Sequence, residues 1–355
     1  VGLDYRVACC PDGLMTDRRH DVKVLDCTIR DGGICNNWQF DPRLVKRTWQ
    51  ALRRAGVDVM EVGYRTRRLP VERGAGTDPA GPWKYCEDDV LRELADETGL
   101  QLAVMMDYGR STAADLAPRS RSPISMVRVA CYGRDIEPAL QMLHEIQDKG
   151  YEVMCNVMAV SDNTPQEVDT FLARLHDSTV PNVALVDSYG ALYPHHVRYL
   201  IRKYKNWLRH DQRLGIHVHN NQEMAFANTI VAVEEGATLI DATVLGMGRG
   251  AGNCPLELLL MWLDSERYDV EPILELAEDY AALKDELRWG YHVPYAITGW
   301  LDQHPKSAIA YMSAAAQAAG DSGETSVAGF YRRLAGDRAR GRYHRPVLAH
   351  ERGSK

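Results

Sequence analysis

No stretch of the 355-residue chain approaches the ~20 consecutive apolar residues that a membrane-spanning helix needs, so no membrane contact is expected. Val1 to Asp21 lacks the apolar core of a secretory signal. The eight cysteines, Cys9, Cys10, Cys27, Cys35, Cys86, Cys131, Cys155 and Cys254, form no CxxC pair, which speaks against a zinc ribbon or a secreted disulfide scaffold. Several stand inside apolar runs, where a reduced thiol behaves as a small hydrophobe, and a cytoplasmic, reducing compartment is expected. Positive charge is not in excess either. Lys and Arg number 42 against 49 Asp and Glu, a net charge of −7, so no nucleic-acid partner is expected. What remains, 45% hydrophobic and 26% charged residues, is the balance of a soluble globular protein.

Apolar runs rich in β-branched residues recur at 22–28, 57–64, 100–107, 124–130, 151–158, 182–188, 214–220 and 237–245. Their length and uniform hydrophobicity suit strands buried on both faces. Helical patterns alternate with them. Pro42 to Arg54 places Leu44, Val45, Trp49 and Leu52 on one face, and further patterns span 88–97, 137–149, 164–176, 194–208 and 222–235. Gly56, Gly150 and Gly236 stand where a helix C-terminus calls for glycine. The alternation predicts an α/β fold, a (β/α)8 TIM barrel. A doubly wound sheet is the rival, but no glycine-rich phosphate turn follows the first run.

The expected organisation is an N-terminal segment at 1–21, a catalytic barrel at 22–265, a helical extension at 266–342 and a tail at 343–355. Helices 255–265, 271–288, 294–318 and 324–336 are read in the last third, and the extension is expected to cover one barrel end or form a subunit contact. The long Gly- and Pro-rich loop from Arg65 to Glu87 carries Arg65, Arg67, Arg68 and Arg73. These could meet an anionic substrate or belong to a solvated surface loop.

Several polar residues stand at strands or strand exits. His217 and His219, two apart in the seventh run, share a side of the strand and make good divalent-metal ligands; the alternative is one hydrogen-bonded and one exposed imidazole. The first run leads into Asp26-Cys27-Thr28-Ile29-Arg30-Asp31-Gly32-Gly33, where buried carboxylates would need a cation or an arginine. Glu61 sits in the apolar second run, Asn156 in the fifth, and Asp187 with Ser188 at the end of the sixth. Gly246 to Asn253 follows the eighth run, with glycine at alternate positions. Strand ends of a barrel converge on one mouth, which makes a shared site the economical reading.

In this order, Asp26-Cys-Thr-Ile-Arg-Asp31-Gly, Glu61-Val-Gly, Asp187-Ser-Tyr-Gly, His217-Val-His219-Asn and Gly252-Asn253 resemble the DRE-TIM metallolyase superfamily over about residues 22 to 260. The 4-hydroxy-2-oxovalerate aldolases are its most similar branch. The resemblance implies that Asp31, His217 and His219 hold a divalent metal, with Asn253 as a fourth ligand. It implies that Arg30 stabilises an enolate oxygen, that Glu61 is a polar site residue, and that Tyr64, Asn156 and Ser188 meet substrate. Mn2+ or Mg2+ suits the oxygen ligands, and Zn2+ suits the imidazoles.

The implied activity is an aldolase joining or separating a 2-oxo acid, pyruvate or 2-oxobutyrate, and an aldehyde. A homo-oligomer and an aldehyde dehydrogenase partner follow from the same resemblance. Ile34 stands where the pyruvate aldolases carry a histidine base, so a metal-bound water, Tyr64 or His304 would take that part. Two alternatives are a Claisen-type acyl-CoA condensing enzyme, resembling homocitrate or isopropylmalate synthase, and a catalytically silent barrel serving as a binding subunit.

Overall fold

A computed structural model describes residues 18–67, 80–95, 99–317 and 326–337. Eight parallel strands close into a barrel in sequential order. They are β1 (Lys23–Asp26), β2 (Val59–Tyr64), β3 (Gln101–Asp107), β4 (Met126–Tyr132), β5 (Glu152–Met158), β6 (Asn182–Asp187), β7 (Arg213–Val218) and β8 (Leu239–Ala242). The ring closes where β1 pairs with β8, with Asp26 opposite Ala242. The (β/α)8 expectation holds. The described residues contain no helix long and apolar enough to cross a membrane.

A short helix α1 (Thr28–Asn36) follows β1 directly, and α2 (Pro42–Arg54) is the first helix of the outer layer. Next come α3 (Asp88–Leu94), α4 (Ile136–Asp148), α5 (Pro165–Asp177), α6 (Pro194–Trp207), α7 (Ala225–Glu235) and α8 (Leu256–Leu263). Their ends follow local chemistry. The Asp41 carboxylate accepts from Arg43 N–H at the start of α2, with Pro42 just inside. Thr164 and Glu167 form a reciprocal capping box at α5. Gly236, left-handed, stops α7.

Strand periodicity sorts the core into two layers. Val24, Met60, Val104, Val127, Val153, Val183 and Ile240 belong to the large cluster between sheet and helices. Leu25, Val59, Ala103, Met126, Met154, Ala184 and Leu239, each one residue away along its strand, form a separate cluster filling the barrel interior.

Beyond the barrel lie α9 (Glu271–Leu287), α10 (Val293–Trp300), α11 (Lys306–Gln317) and α12 (Val327–Asp337). The single helix expected over 294–318 is two. Asp302 adopts φ 55°, and Pro305 cannot continue a helix through its missing N–H. The start of α10 sits over the loops after β7 and β8: Asn221 Nδ2 donates to Tyr295 O, Gln222 Nε2 to Ala296 O, and Gly290 N to Gly250 O. The segment 1–17, most of the 65–87 loop including Arg68 and Arg73, and the tail from 338 lie outside the described residues.

Candidate active site

Two residues beyond the interior apolar layer, the same strand faces carry Glu61 on β2, Arg128 on β4, Asn156 on β5, His217 on β7 and Asp241 on β8. All are buried, Glu61 and Arg128 completely. Arg30 and Asp31 were expected at a strand exit; they sit on the first turns of α1, which lifts them over the barrel mouth. Trp38 Nε1 donates to Arg30 O at 3.0 Å and anchors that turn.

These groups form one continuous chain of ion pairs. Arg30 Nη1 donates to Asp31 Oδ1 at 2.7 Å and its Nε to Glu61 Oε2 at 2.7 Å. Arg128 donates to the same Glu61 oxygen at 2.9 Å and to Asp241 Oδ2 at 2.6 Å. Asp241 Oδ2 lies 2.9 Å from His217 Nδ1. No carboxylate in this chain is buried without a guanidinium beside it, which is what makes such burial tolerable.

Asp31, His217 and His219 each offer one donor atom, and the three atoms lie within 4.8 Å of one another. Nδ1 of His217 is engaged by Asp241, which leaves its Nε2 for a ligand role, while Nδ1 of His219 lies 3.2 Å from Gly252 O and its Nε2 lies 3.4 Å from Arg249 Nη2. Burial, reinforced by Arg249, His217 and Arg30 against Asp31, pushes the His219 pKa well below its ordinary range, so the imidazole is neutral. Burial raises the Asp31 carboxyl, but Arg30, His219, His217 and Arg249 outweigh it and hold it well below the usual range. A neutral imidazole and a charged carboxylate are the forms that bind metal. Asn253 Nδ2 donates to Asp31 Oδ2 at 2.6 Å, while its Oδ1 is buried and without a partner. That orphaned acceptor beside three donors fits a divalent ion.

A second trio, Cys27, His217 and Asp241, is similarly close. Arg128 already reaches both Cys27 Sγ and Asp241, and burial raises the Cys27 thiol well above its ordinary pKa, which keeps it protonated. The first trio is therefore the better cation site.

The Asp31, His217 and His219 trio lines a cavity of about 70 Å³. Arg30, Tyr64, Asn156 and Ser188 line it too, with apolar walls from Ile34, Met105, Met158 and Val186, and with Arg249. Glu61 stands behind Arg30 rather than in the wall. The Asp187 carboxylate accepts from the Ala191 and Leu192 amides and serves its own turn. Arg65 pairs with Asp88 and Arg67 with Asp115, which leaves neither as an open anion site. His304 packs its ring 5.8 Å from that of Tyr189 and does not line the cavity.

Glycine-loop geometry completes the site. A Cβ on Gly248 would fall 2.1 Å from Asn253 Nδ2 and 2.5 Å from Asp31 Oδ2, so only glycine lets the loop approach so closely. Sequence reasoning missed Arg128 and Asp241. Each is a lone charge in an apolar run, two residues after an interior apolar side chain, and that offset was the available signal.

Residues 131–283 match the HMGL-like family. The chain is 32% identical over 267 residues to the 4-hydroxy-2-oxovalerate aldolase of Bacillus thuringiensis (strain Al Hakam), covering 74% of this chain and 76% of that one. It is 28% identical over 316 residues to the oxaloacetate decarboxylase of Mycobacterium tuberculosis (strain ATCC 25618 / H37Rv), covering 86% and 90%. The solved N-terminal domain of a putative aldolase from Bacteroides vulgatus superposes with a TM-score of 0.73 at 29% identity, covering 82% of this chain and 97% of that one. The chain belongs to the HMGL-like family, the DRE-TIM metallolyase enzymes, in the branch of the 4-hydroxy-2-oxovalerate aldolases.

Proposed function

We propose that this chain is a divalent-metal-dependent aldolase that makes or cleaves the carbon–carbon bond between the enolate of a 2-oxo acid, pyruvate or 2-oxobutyrate, and an aldehyde. The observation that carries this reading is the convergence of Asp31, His217, His219 and Arg30 on one small buried cavity. Asp31, His217 and His219 hold the ion, with Asn253 as a fourth donor. Mn2+ or Mg2+ matches the oxygen ligands, and the two imidazoles admit Zn2+. When bound, the ion supplies the Lewis acidity that stabilises an enolate oxygen.

The chain's own residues do the rest. Arg30 presents fixed positive charge to the same developing oxyanion, and Glu61 and Asp31 clamp its guanidinium in that position. Asp241 fixes the tautomer and the orientation of His217. Asn156 and Ser188 offer polar contacts to the 2-oxo acid. Burial raises the Tyr64 phenol well above its ordinary pKa, so it stays protonated and suits proton donation to an enolate carbon. The intact ligand set speaks against a silent barrel. A homo-oligomer, a dehydrogenase taking up the aldehyde product and a cytoplasmic location belong to the same reading; the free thiols of the six described cysteines support the last.

A second reading is favoured by what lines the cavity. Outside the ligand trio, the described lining residues include no carboxylate and no imidazole to take a hydroxyl proton from an aldol. Loss of carbon dioxide from a 2-oxo acid with a carboxylate on the next carbon leaves the same enolate and requires no such base.

Both readings share one test. The protein should exchange the methyl protons of pyruvate in deuterated buffer when loaded with Mn2+, and a chelator should stop it. A metal-loaded protein that leaves those protons untouched overturns both.

A further inference from the structure

Three arginines stand in or behind the site, and two are paired with carboxylates. Arg30 pairs with Asp31 and Glu61, and Arg128 pairs with Glu61 and Asp241. Arg249 is different. Its Nη2 donates to the Ser188 carbonyl at 2.6 Å and lies 3.4 Å from His219 Nε2. Its buried Nε has no partner, as that of Arg128 has none, but unlike Arg30 and Arg128 it forms no ion pair with a carboxylate of the described residues. The side chain nonetheless lines the cavity. It is carried there by a loop in which Gly248 packs on Asn253 and Asp31 and Gly250 takes φ 65°.

An unpaired guanidinium beside a cation site is a repulsive neighbour unless an anion comes between the two. The charges agree. Arg30 and Arg128 already serve the carboxylates of Asp31, Glu61 and Asp241, so a divalent ion beside Arg249 leaves two positive groups at the cavity wall. The carboxylate of a simple 2-oxo acid meets one of them. A second negative group on the same small molecule meets the other, and the planar fork of an arginine suits a carboxylate.

We propose that Arg249 binds a second carboxylate of the substrate, so that the site selects a short 2-oxo dicarboxylate over a monocarboxylate such as pyruvate. This rests on the 2-oxo acid reading above and adds a specificity-determining residue to it. The shortest such acid that keeps a carbon able to form the enolate has four carbons, with the second carboxylate one carbon beyond the oxo-bearing unit.

The test compares malate with 2-hydroxybutyrate, unreactive four-carbon acids that differ in the second carboxylate. Each is titrated into Mn2+-loaded protein by calorimetry. Malate should bind about tenfold more tightly or better, as a charge-assisted pair implies. In Arg249→Gln that ratio should fall towards one. Arg249→Lys, which keeps the charge and loses the fork, should give an intermediate ratio and serves alone if the glutamine variant does not fold. Equal affinities in the unmodified protein, or an undiminished malate preference in the variants, overturns the proposal. Pyruvate proton exchange in the same preparation separates the two ideas: exchange without malate preference sinks the Arg249 assignment alone, whereas absent exchange sinks the enolate reading.

Discussion

Two neighbouring layers of the barrel interior share strands, face and burial, yet differ completely in chemistry. Val59, Met126, Met154 and Leu239 make an apolar plug. Two residues on, Glu61, Arg128, Asn156 and Asp241 replace it with a polar layer of equal burial. Burial therefore does not decide the side chain; position along the strand does. Each buried ion costs several kcal/mol of desolvation, and packed apolar groups of similar volume are often as stable or more so. The lower layer seals the barrel, whereas the upper layer holds Arg30 and His217 in place.

That contrast predicts which substitutions hurt what. The largest loss should come from His217→Ala, which removes a proposed ligand and should abolish both metal retention, by elemental analysis, and turnover; an active, metal-replete variant would contradict the site. Asp241→Asn keeps the ligand but loses its orienting charge, and metal affinity should drop by roughly 10- to 100-fold. Arg128→Met leaves Glu61 to Arg30 alone and Asp241 to His217 alone, and urea unfolding of the chelated protein should show a loss approaching the ~3–5 kcal/mol of a broken buried pair. Met154→Ala, in the lower layer, should cost about 2–5 kcal/mol through the cavity it opens. Metal affinity should barely change in that variant; a large drop would mean the layers are not separable.

The smallest effect concerns Asp26, a buried carboxyl whose hydrogen-bond partners are the Thr28 amide and hydroxyl. Burial, against those hydrogen bonds and with Glu61 and Asp241 adding to it, raises its pKa from 3.8 to about 7. Asp241 is also raised by burial, but Arg128 and His217 outweigh that and bring it to about 2. The folded protein thus binds the Asp26 proton more tightly than the unfolded chain does. Its contribution to stability is full below about pH 4, falls as pH rises to about 7 and stays flat above. Asp26→Asn should flatten the stability–pH curve across that window, and an unchanged slope would show the carboxyl is not carrying it.

All eight strands are legible in the sequence, because a strand buried on both faces needs an unbroken apolar run. Helix ends marked by Gly236 or Pro165 are legible for the same local reason. The break between α10 and α11 is half legible: Pro305 marks it, whereas the left-handed Asp302 leaves no mark on apolar periodicity. In the site, Arg30, Asp31, His217 and His219 announce themselves by ordered spacing. Arg128 and Asp241 do not, because each makes sense only beside the other, and 113 positions separate them. That Arg249 has no carboxylate partner among the described residues is invisible in sequence, where every arginine looks equally free to pair.

The seam between β1 and β8 has a temporal meaning. Asp31 follows the first strand and Asn253 the last, 222 positions apart, yet they meet at 2.6 Å. His217 belongs to the strand just before the seam. These donors meet only when β1 has paired with β8, so the proposed cation site is complete only once that pairing has formed. A cation held there as proposed would act as a rivet: by mass action it would stabilise the paired seam alone, and each tenfold excess over its dissociation constant would add roughly 1.4 kcal/mol against opening. Uptake of the cation during refolding would then be a clock for the β1–β8 pairing, and stripping it from the finished protein should loosen first the join between the barrel's first and last strands.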